Sequence, residues 1–372
     1  VVSTLAGSGK AQSNDDTKPL SASFSGPTGV AVNASGTVYV ADAGSHRIRK
    51  IDSAGVSTLA GSGTKGKKDG KGSAAQFNNP RGIAVDYKGT VYVADTMNHR
   101  IRKVTPDGIV TSIAGGTAGG SAIDGKASFA KFNGPTAIAV NAVGDLFISD
   151  HSNARVRVLT VDGFVVTLVG TAGKGYVDGK ASVAKLGSPR GIAVAPNGDV
   201  FFVDDKSNRI RRLQDKGLKH WISTVSGGAV GSLKGVVPAQ FKGTPAQLAV
   251  GSVNDKALVV INGLNGENLL TKVTPAPTVY TDNKTSIAIK AEKFVLHDVA
   301  QVSADNYLAV GYVSTAKFKD DAYVQRVVLK GGGEVSYSGT RLYYPATKSD
   351  PAGHGNQRWN GVAINTSLVC LV

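Results

Sequence analysis

The sequence predicts an all-β fold, a β-propeller of four-stranded blades, on three observations. A strand-turn-strand sentence recurs in register on one proline: FSGPTGVAVNASGTVYVADAGSHRIRKI with Pro27, FNNPRGIAVDYKGTVYVADTMNHRIRKV with Pro80, FNGPTAIAVNAVGDLFISDHSNARVRVL with Pro135 and LGSPRGIAVAPNGDVFFVDDKSNRIRRL with Pro189. These prolines stand 53, 55 and 54 residues apart, the regular period of a stacked supersecondary unit. Composition agrees, because 47 glycines and only three Glu describe a chain rich in turns and poor in helix formers.

Each unit holds four apolar runs separated by turn signals. In the second unit they are GIAV, TVYVAD, RIRKV and IVTSIAG, the last running from Ile109 to Gly115. Four short strands make one blade. The runs are nearly continuous in hydrophobicity, which suits strands covered on both faces by neighbouring blades. Past the fourth unit the pattern weakens: TPAQLAVGSVNDKALVVINGLNGENLLTKV carries Pro245, 56 residues after Pro189, and HDVAQVSADNYLAVGYV follows from His297. The Asp that ends the second strand is lost there, with Asn262 and Tyr312 nearby.

The termini answer each other. VVSTLAGSG at Val1 repeats the fourth strand at Val56, and GVAINTSLVCLV, from Gly361, echoes the first and second strands at Gly29. Counting motifs gives seven first, seven second, six third and seven fourth strands, so the count favours seven blades over six, closed by the N-terminal strand. Closure removes an apolar face and an unpaired edge. The expected boundaries are a single domain over 1–372, with blades at about 24–63, 77–116, 132–171, 186–228, 241–283 and 293–339 and a closing blade from 357–372 plus 1–9.

The motifs P-x-G-I-A-V-D, V-Y-V-A-D, N-H-R-I-R-K and V-S-T-L-A-G together resemble the NHL-repeat family of β-propellers, strongly over residues 24–227 and only by position thereafter. NHL propellers usually have six blades, so seven is a departure. The resemblance also implies the functions such propellers carry: protein or glycan binding, RNA binding through a basic top face, or, in some six-bladed relatives, metal-dependent lyase or lactone hydrolase chemistry at channel-facing His and carboxylates.

No stretch reaches the roughly 18 uninterrupted apolar residues of a membrane helix, so no membrane insertion is expected. The chain begins at Val1 with no charged n-region or cleavage site, so any targeting peptide is expected to be removed or not included. The one cysteine, Cys370, lies in an apolar strand pattern and has no internal disulfide partner; it is expected to be a buried thiol. Sequons at Asn33, Asn283 and Asn365 fit glycosylation of a secreted protein, at a number close to chance.

The net charge of +15 acts locally, because physiological salt screens beyond about 8 Å. It gathers in the third-strand arginines and in loops between blades, with Lys65, Lys67, Lys68 and Lys71 in one loop and Lys126, Lys174 and Lys180 in its counterparts. Strand parity places the Asp-ended turns and these loops on one rim, which is the expected basic binding surface. Each turn sets an Asp five residues before an Arg: Asp42 and Arg47, Asp95 and Arg100, Asp150 and Arg155, Asp204 and Arg209. Their functional reading is a carboxylate ring at the channel mouth. Because the pair repeats in four units where a single ligand site would not, capping and inter-blade pairing is the stronger reading. The D-G-K segments at Asp69, Asp124 and Asp178 lack the alternating oxygens of a calcium loop and read as turns.

Catalysis finds little support in the letters. The six histidines, His46, His99, His151, His220, His297 and His354, are scattered without metal-ligand spacing. The sequence therefore predicts a non-catalytic binding or structural module with no cofactor and no metal, extracellular or secreted, engaging a protein or anionic polysaccharide, with self-assembly at the blade seam. A cytoplasmic RNA-binding propeller is the alternative, weakened because aromatics make up only 6% and the Lys-rich loops offer no stacking platform. A propeller lyase or hydrolase, with a channel site that includes Asp298, His297 or Asn262, is the second alternative.

Overall fold

The computed structural model describes residues 2–116, 120–171, 173–195, 197–215 and 220–227, and beyond them the strands at 244–250, 258–264, 267–275, 280–281, 286–289, 294–303, 306–313 and 321–328. Six antiparallel sheets stand among these residues. Blade one is Pro27–Val32, Val38–Asp42, Arg47–Asp52 and Gly55–Ala60; blade two is Pro80–Val85, Val91–Asp95, Arg100–Val104 and Ile109–Gly115. Blade three is Pro135–Val140, Leu146–Asp150, Arg155–Leu159 and Phe164–Val169; blade four is Pro189–Val194, Val200–Asp204, Arg209–Asp215 and His220–Gly227. The fifth sheet runs Thr244–Val250, Leu258–Leu264, Glu267–Pro275 and Ser286–Ile289, and the sixth Phe294–Ser303, Asn306–Val313 and Asp321–Val328.

Val2–Ala6 supplies the fourth strand of the sixth sheet, with Val2 opposite Val327 and Ser3 opposite Arg326. The N-terminal strand closes the ring on the strand at Asp321–Val328; the segment 357–372, expected in the closing blade, lies outside the described residues. The six innermost strands pack side by side in cyclic order, the one at Phe294–Ser303 against both Thr244–Val250 and Pro27–Val32.

The apolar clusters explain why the strand letters are continuously hydrophobic. One cluster joins Ala31, Tyr39 and Ala41 of blade one to Phe77, Ile83 and Val93 of blade two. The next joins Ala84 and Ile101 to Ile138 and Ile148, and a third joins Ala137 and Val156 to Ile192 and Phe202. Each blade is thus a filling between two neighbours, and both faces of its strands are core.

Near the axis the innermost strands approach until only glycine fits. A Cβ on Gly29 would sit 2.0 Å from the Arg81 carbonyl oxygen, and one on Gly82 would sit 2.5 Å from the Cα of Ala137. Gly29→Ala is expected to cost about 1–3 kcal/mol, the usual penalty for overpacking a contact that cannot relax, read as a lower urea midpoint at unchanged m-value.

The D-G-K segments do not end in simple turns. Gly70–Lys71, Gly125–Lys126 and Gly179–Lys180 each add a two-residue strand outside the fourth strand of the following sheet.

Candidate active site at the channel mouth

The repeated Asp and Arg letters build scaffold, though not by the pairing their spacing suggests. Asp42, Asp95, Asp150 and Asp204 are fully buried, and their partners are Arg49, Arg102, Arg157 and Arg211, seven residues on, at 3.2, 2.7, 3.2 and 3.2 Å. Arg47, Arg100, Arg155 and Arg209 stand directly across the ladder from these aspartates but turn elsewhere, for example Arg47 Nη1 to the Ser13 carbonyl at 3.1 Å and Arg100 Nη1 to Ser112 Oγ at 3.1 Å. Each buried arginine also reaches into the loop before its blade. Arg102 Nη2 meets Asp69 Oδ1 at 2.7 Å and donates to the Lys68 carbonyl, while its guanidinium stacks 5.0 Å over Phe77. Asp15, Asp124 and Asp178 do for Arg49, Arg157 and Arg211 what Asp69 does for Arg102. Burial pushes the Asp42, Asp95 and Asp150 carboxyls up, against the pull of their donors and arginines. Burial also acts to raise Asp69, but the N–H and hydroxyl of Ser112, with Arg102, outweigh it and hold that carboxyl below its ordinary value. No carboxylate ring is left to face the channel from these positions.

The expected single basic rim divides between two faces. Lys71, Lys126 and Lys180 pair with Ile109, Phe164 and Trp221 at the start of the fourth strands, the end opposite the Asp-ended turns. Lys65 and Lys174 lie at the other end, close enough to His46 and His151 to depress them. Lys67 and Lys68 are exposed on the loop between them and Asp69. Asn33 Oδ1 accepts from the N–H groups of Ser35 and Thr37, closing its turn as Asp86 and Asn141 close theirs. Asn283, Asn365, Cys370 and His354 lie outside the described residues. Asn262 stands opposite Pro245 as Asp42 stands opposite Pro27, which identifies it as the replaced aspartate, and His297 and Asp298 fall in the innermost strand of the sixth sheet.

A different set of residues meets at the Asp end of the channel. The position after the repeat proline carries Thr28, Arg81, Thr136 and Arg190, and the position after the strand-ending aspartate carries Ala43, Thr96, His151 and Asp205. Each sits on an innermost strand or the 3-10 turn beside it, in a repeat whose neighbouring letters barely change. Some keep blades together: Thr28 Oγ1 donates to the Pro80 carbonyl at 3.1 Å and Thr96 Oγ1 to the Pro135 carbonyl at 2.7 Å. Others break that pattern. Thr136 Oγ1 is buried without a hydrogen-bond partner, as is Nε2 of His151.

His151, on blade three, is flanked by blade two with Arg81 and blade four with Arg190 and Asp205. Burial lowers its pKa from 6.5, and Arg190, Arg81 and Lys174 lower it further against an upward pull from Asp205. These influences favour the neutral imidazole, the form that accepts a proton. Arg190 Nε lies 2.5 Å from Asp205 Oδ2, whereas Arg81 Nε donates to the neutral Asn79 Oδ1 at 3.1 Å. A base beside two guanidiniums can remove a proton and hold the negative charge that follows. His46 and His99, by contrast, are structural: their Nδ1 atoms accept the Asn79 and Gly134 N–H groups of the next blade, as their shared repeat position suggested.

Among the described residues no three His, Cys, Asp or Glu side chains gather, and Asp205 is already spent on Arg190. No step is routed through a metal.

Comparison with known proteins agrees with the repeat. Residues 24–51 match the NHL repeat and residues 62–122 the teneurin NHL domain. The repeated unit is an NHL repeat. NHL repeat-containing protein 3 of Mus musculus is 32% identical over 135 residues, 34% of this chain and 36% of its own length. Teneurin-4 of Mus musculus is 27% identical over 238 residues, 53% of this chain and 8% of its own. Protein SUPPRESSOR OF QUENCHING 1 of Arabidopsis thaliana is 28% identical over 175 residues, 44% of this chain and 16% of its own. The chain thus spans well under half the length of these relatives.

Solved structures extend the likeness to nearly the whole chain. A catalytically inactive variant of virginiamycin B lyase from Staphylococcus aureus, with quinupristin, matches with a TM-score of 0.51 at 14% identity over 88% of this chain and 99% of that one. A gluconolactonase of Xanthomonas campestris gives 0.52 at 12% identity over 82% and 87%. At such identities the likeness shows the propeller fold. Two expectations are corrected here, that the chain is a non-catalytic module and that it is not an enzyme: the solved propellers that match its fold include a lyase and a gluconolactonase.

Proposed function

We propose that this NHL propeller is a small-molecule lyase or hydrolase that opens an ester bond at its channel mouth. His151 is the general base, and Arg190 stabilises the oxyanion. The observation that carries this reading is the neutral, half-buried His151, whose Nε2 has no hydrogen-bond partner and whose charged neighbours are mostly cations. In hydrolysis Nε2 takes a proton from the water that attacks the ester carbonyl, and the alcohol leaves; in elimination it takes a proton from carbon, the C–O bond breaks, and the departing carboxylate is received by Arg190. The propeller lyase and gluconolactonase that share the fold support both routes as candidates.

The test is incubation of the purified full chain with lactones and cyclic depsipeptides, read by mass spectrometry. Hydrolysis adds the mass of one water, and elimination opens the ring without a mass change. Turnover that survives His151→Gln undiminished would overturn the assignment.

A further inference from the structure

We propose that the substrate of this site is an anion, and that its carboxylate or phosphate group is held by Arg81. The inference rests on the channel mouth being the site, but its argument is charge balance rather than catalysis. Arg81 and Arg190 occupy the same repeat position on blades two and four, either side of the blade that carries His151 and Thr136. Only one of the two is answered. Asp205 Oδ2 lies 2.5 Å from Arg190 Nε, while among the described residues Arg81 has no carboxylate within ion-pair distance; its partner is the Asn79 side-chain oxygen, which takes Nε and neither terminal nitrogen of the guanidinium fork.

The buried arginines of the scaffold show what this chain does with a guanidinium it keeps for stability. Arg49, Arg102, Arg157 and Arg211 each receive two carboxylates. Arg81 receives none, is part-buried, and is disfavoured as a cation both by that burial and by the charge of Arg190. A half-desolvated, uncompensated cation costs stability unless an anion completes it. A planar fork with two free N–H edges matches the two oxygens of a carboxylate or phosphate.

Two neutral polar atoms on the blade between the two arginines are likewise left without a partner. Thr28 gives its hydroxyl to the carbonyl of the next blade's proline, but Thr136, at the same repeat position, leaves its Oγ1 buried and unbonded, as His151 leaves Nε2. The charged groups facing His151 are Arg190, Asp205, Arg81 and Lys174, so a bound anion opposes the three cations and makes the imidazole easier to protonate.

The experiment uses the full chain, with acetate and inorganic phosphate as probes at constant ionic strength. Binding is followed by thermal shift and by the NMR titration of the His151 ring nitrogens. The expected result is a rise in Tm and a His151 that protonates at higher pH in the presence of the probe. Arg81→Met is expected to weaken affinity about tenfold or more, the loss of a charge-assisted hydrogen bond, while raising the Tm of the free protein. Arg81→Lys, which keeps the charge without the fork, falls between them. Phosphate binding alone points to a phosphate ester, and acetate binding as well points to a carboxylate substrate. Unchanged affinity in both Arg81 variants, or a wild type indifferent to both probes, overturns the proposal. His151→Gln separates the two claims: loss of turnover with anion affinity intact supports both, loss of turnover in a chain that binds neither probe leaves the base and removes the anion, and retained turnover with intact binding does the reverse.

Discussion

Replacing His151 with Gln is expected to lower kcat/KM by about 10²–10⁴-fold, the contribution of a positioned general base, with little change in Tm. The side chain lies on a 3-10 turn at the channel mouth rather than in a cluster between blades, and its Nε2 holds no hydrogen bond whose loss would loosen the fold. The pH dependence follows from its surroundings. Burial and three cations lower the imidazole pKa below 6.5, so the base is active throughout the neutral range and the acid limb of kcat/KM falls below that value. Arg190 is the strongest of those charges, and Arg190→Met is expected to move the acid limb upward. Asp205→Asn removes the one opposing charge and is expected to move it downward. A limb that stays in place in both variants would show that another group titrates.

Asp95→Ala is expected to cost about 3–5 kcal/mol, because it leaves Arg102 buried with half of its counter-charge. Both members of the pair are fully inaccessible, and the carboxylate also accepts from the Asn78 N–H at 2.8 Å and from Asn98 Nδ2 at 2.8 Å, so two further donors lose their acceptor. Asp95→Leu combined with Arg102→Met is expected to cost less than Asp95→Ala alone, since removing both charges removes the unpaired one. Chemical denaturation of the three proteins measures the order. A double variant worse than Asp95→Ala would mean that the arginine contributes more through Phe77 and the loop carbonyls than through the aspartate.

The fold was legible because packing imposes a period. Pro27, Pro80, Pro135 and Pro189 mark the same point of successive blades, and the apolar letters beside them face neighbouring blades on both sides. The salt-bridge partner was not legible. In the third strand Arg47 and Arg49 are two residues apart and share a face, so spacing alone favours Arg47, which lies directly across from Asp42. What selects Arg49 is burial beside Phe24 and a second carboxylate, Asp15, arriving from a loop 34 residues away. The site was hidden for a related reason. His151, Arg81 and Arg190 form no motif along the chain; they converge because three blades bring two repeat positions to one end of one axis. The signal was available in the variation between repeats, where Thr, Arg, Thr, Arg and Ala, Thr, His, Asp replace each other among letters that scarcely differ.

The arginine that joins each sheet to its preceding loop also defines what can be moved as a cassette. The proline suggests a unit beginning at residue 80, yet Arg102 depends on Asp69 and on the Lys68 carbonyl. A chimera spliced at the prolines would part that guanidinium from the half of its electrostatic socket that lies upstream. A splice placed ahead of Lys68 and carried to Gly115 transfers socket and guanidinium together, so the exchangeable segment of this ring begins about a dozen residues before the repeat that the eye picks out.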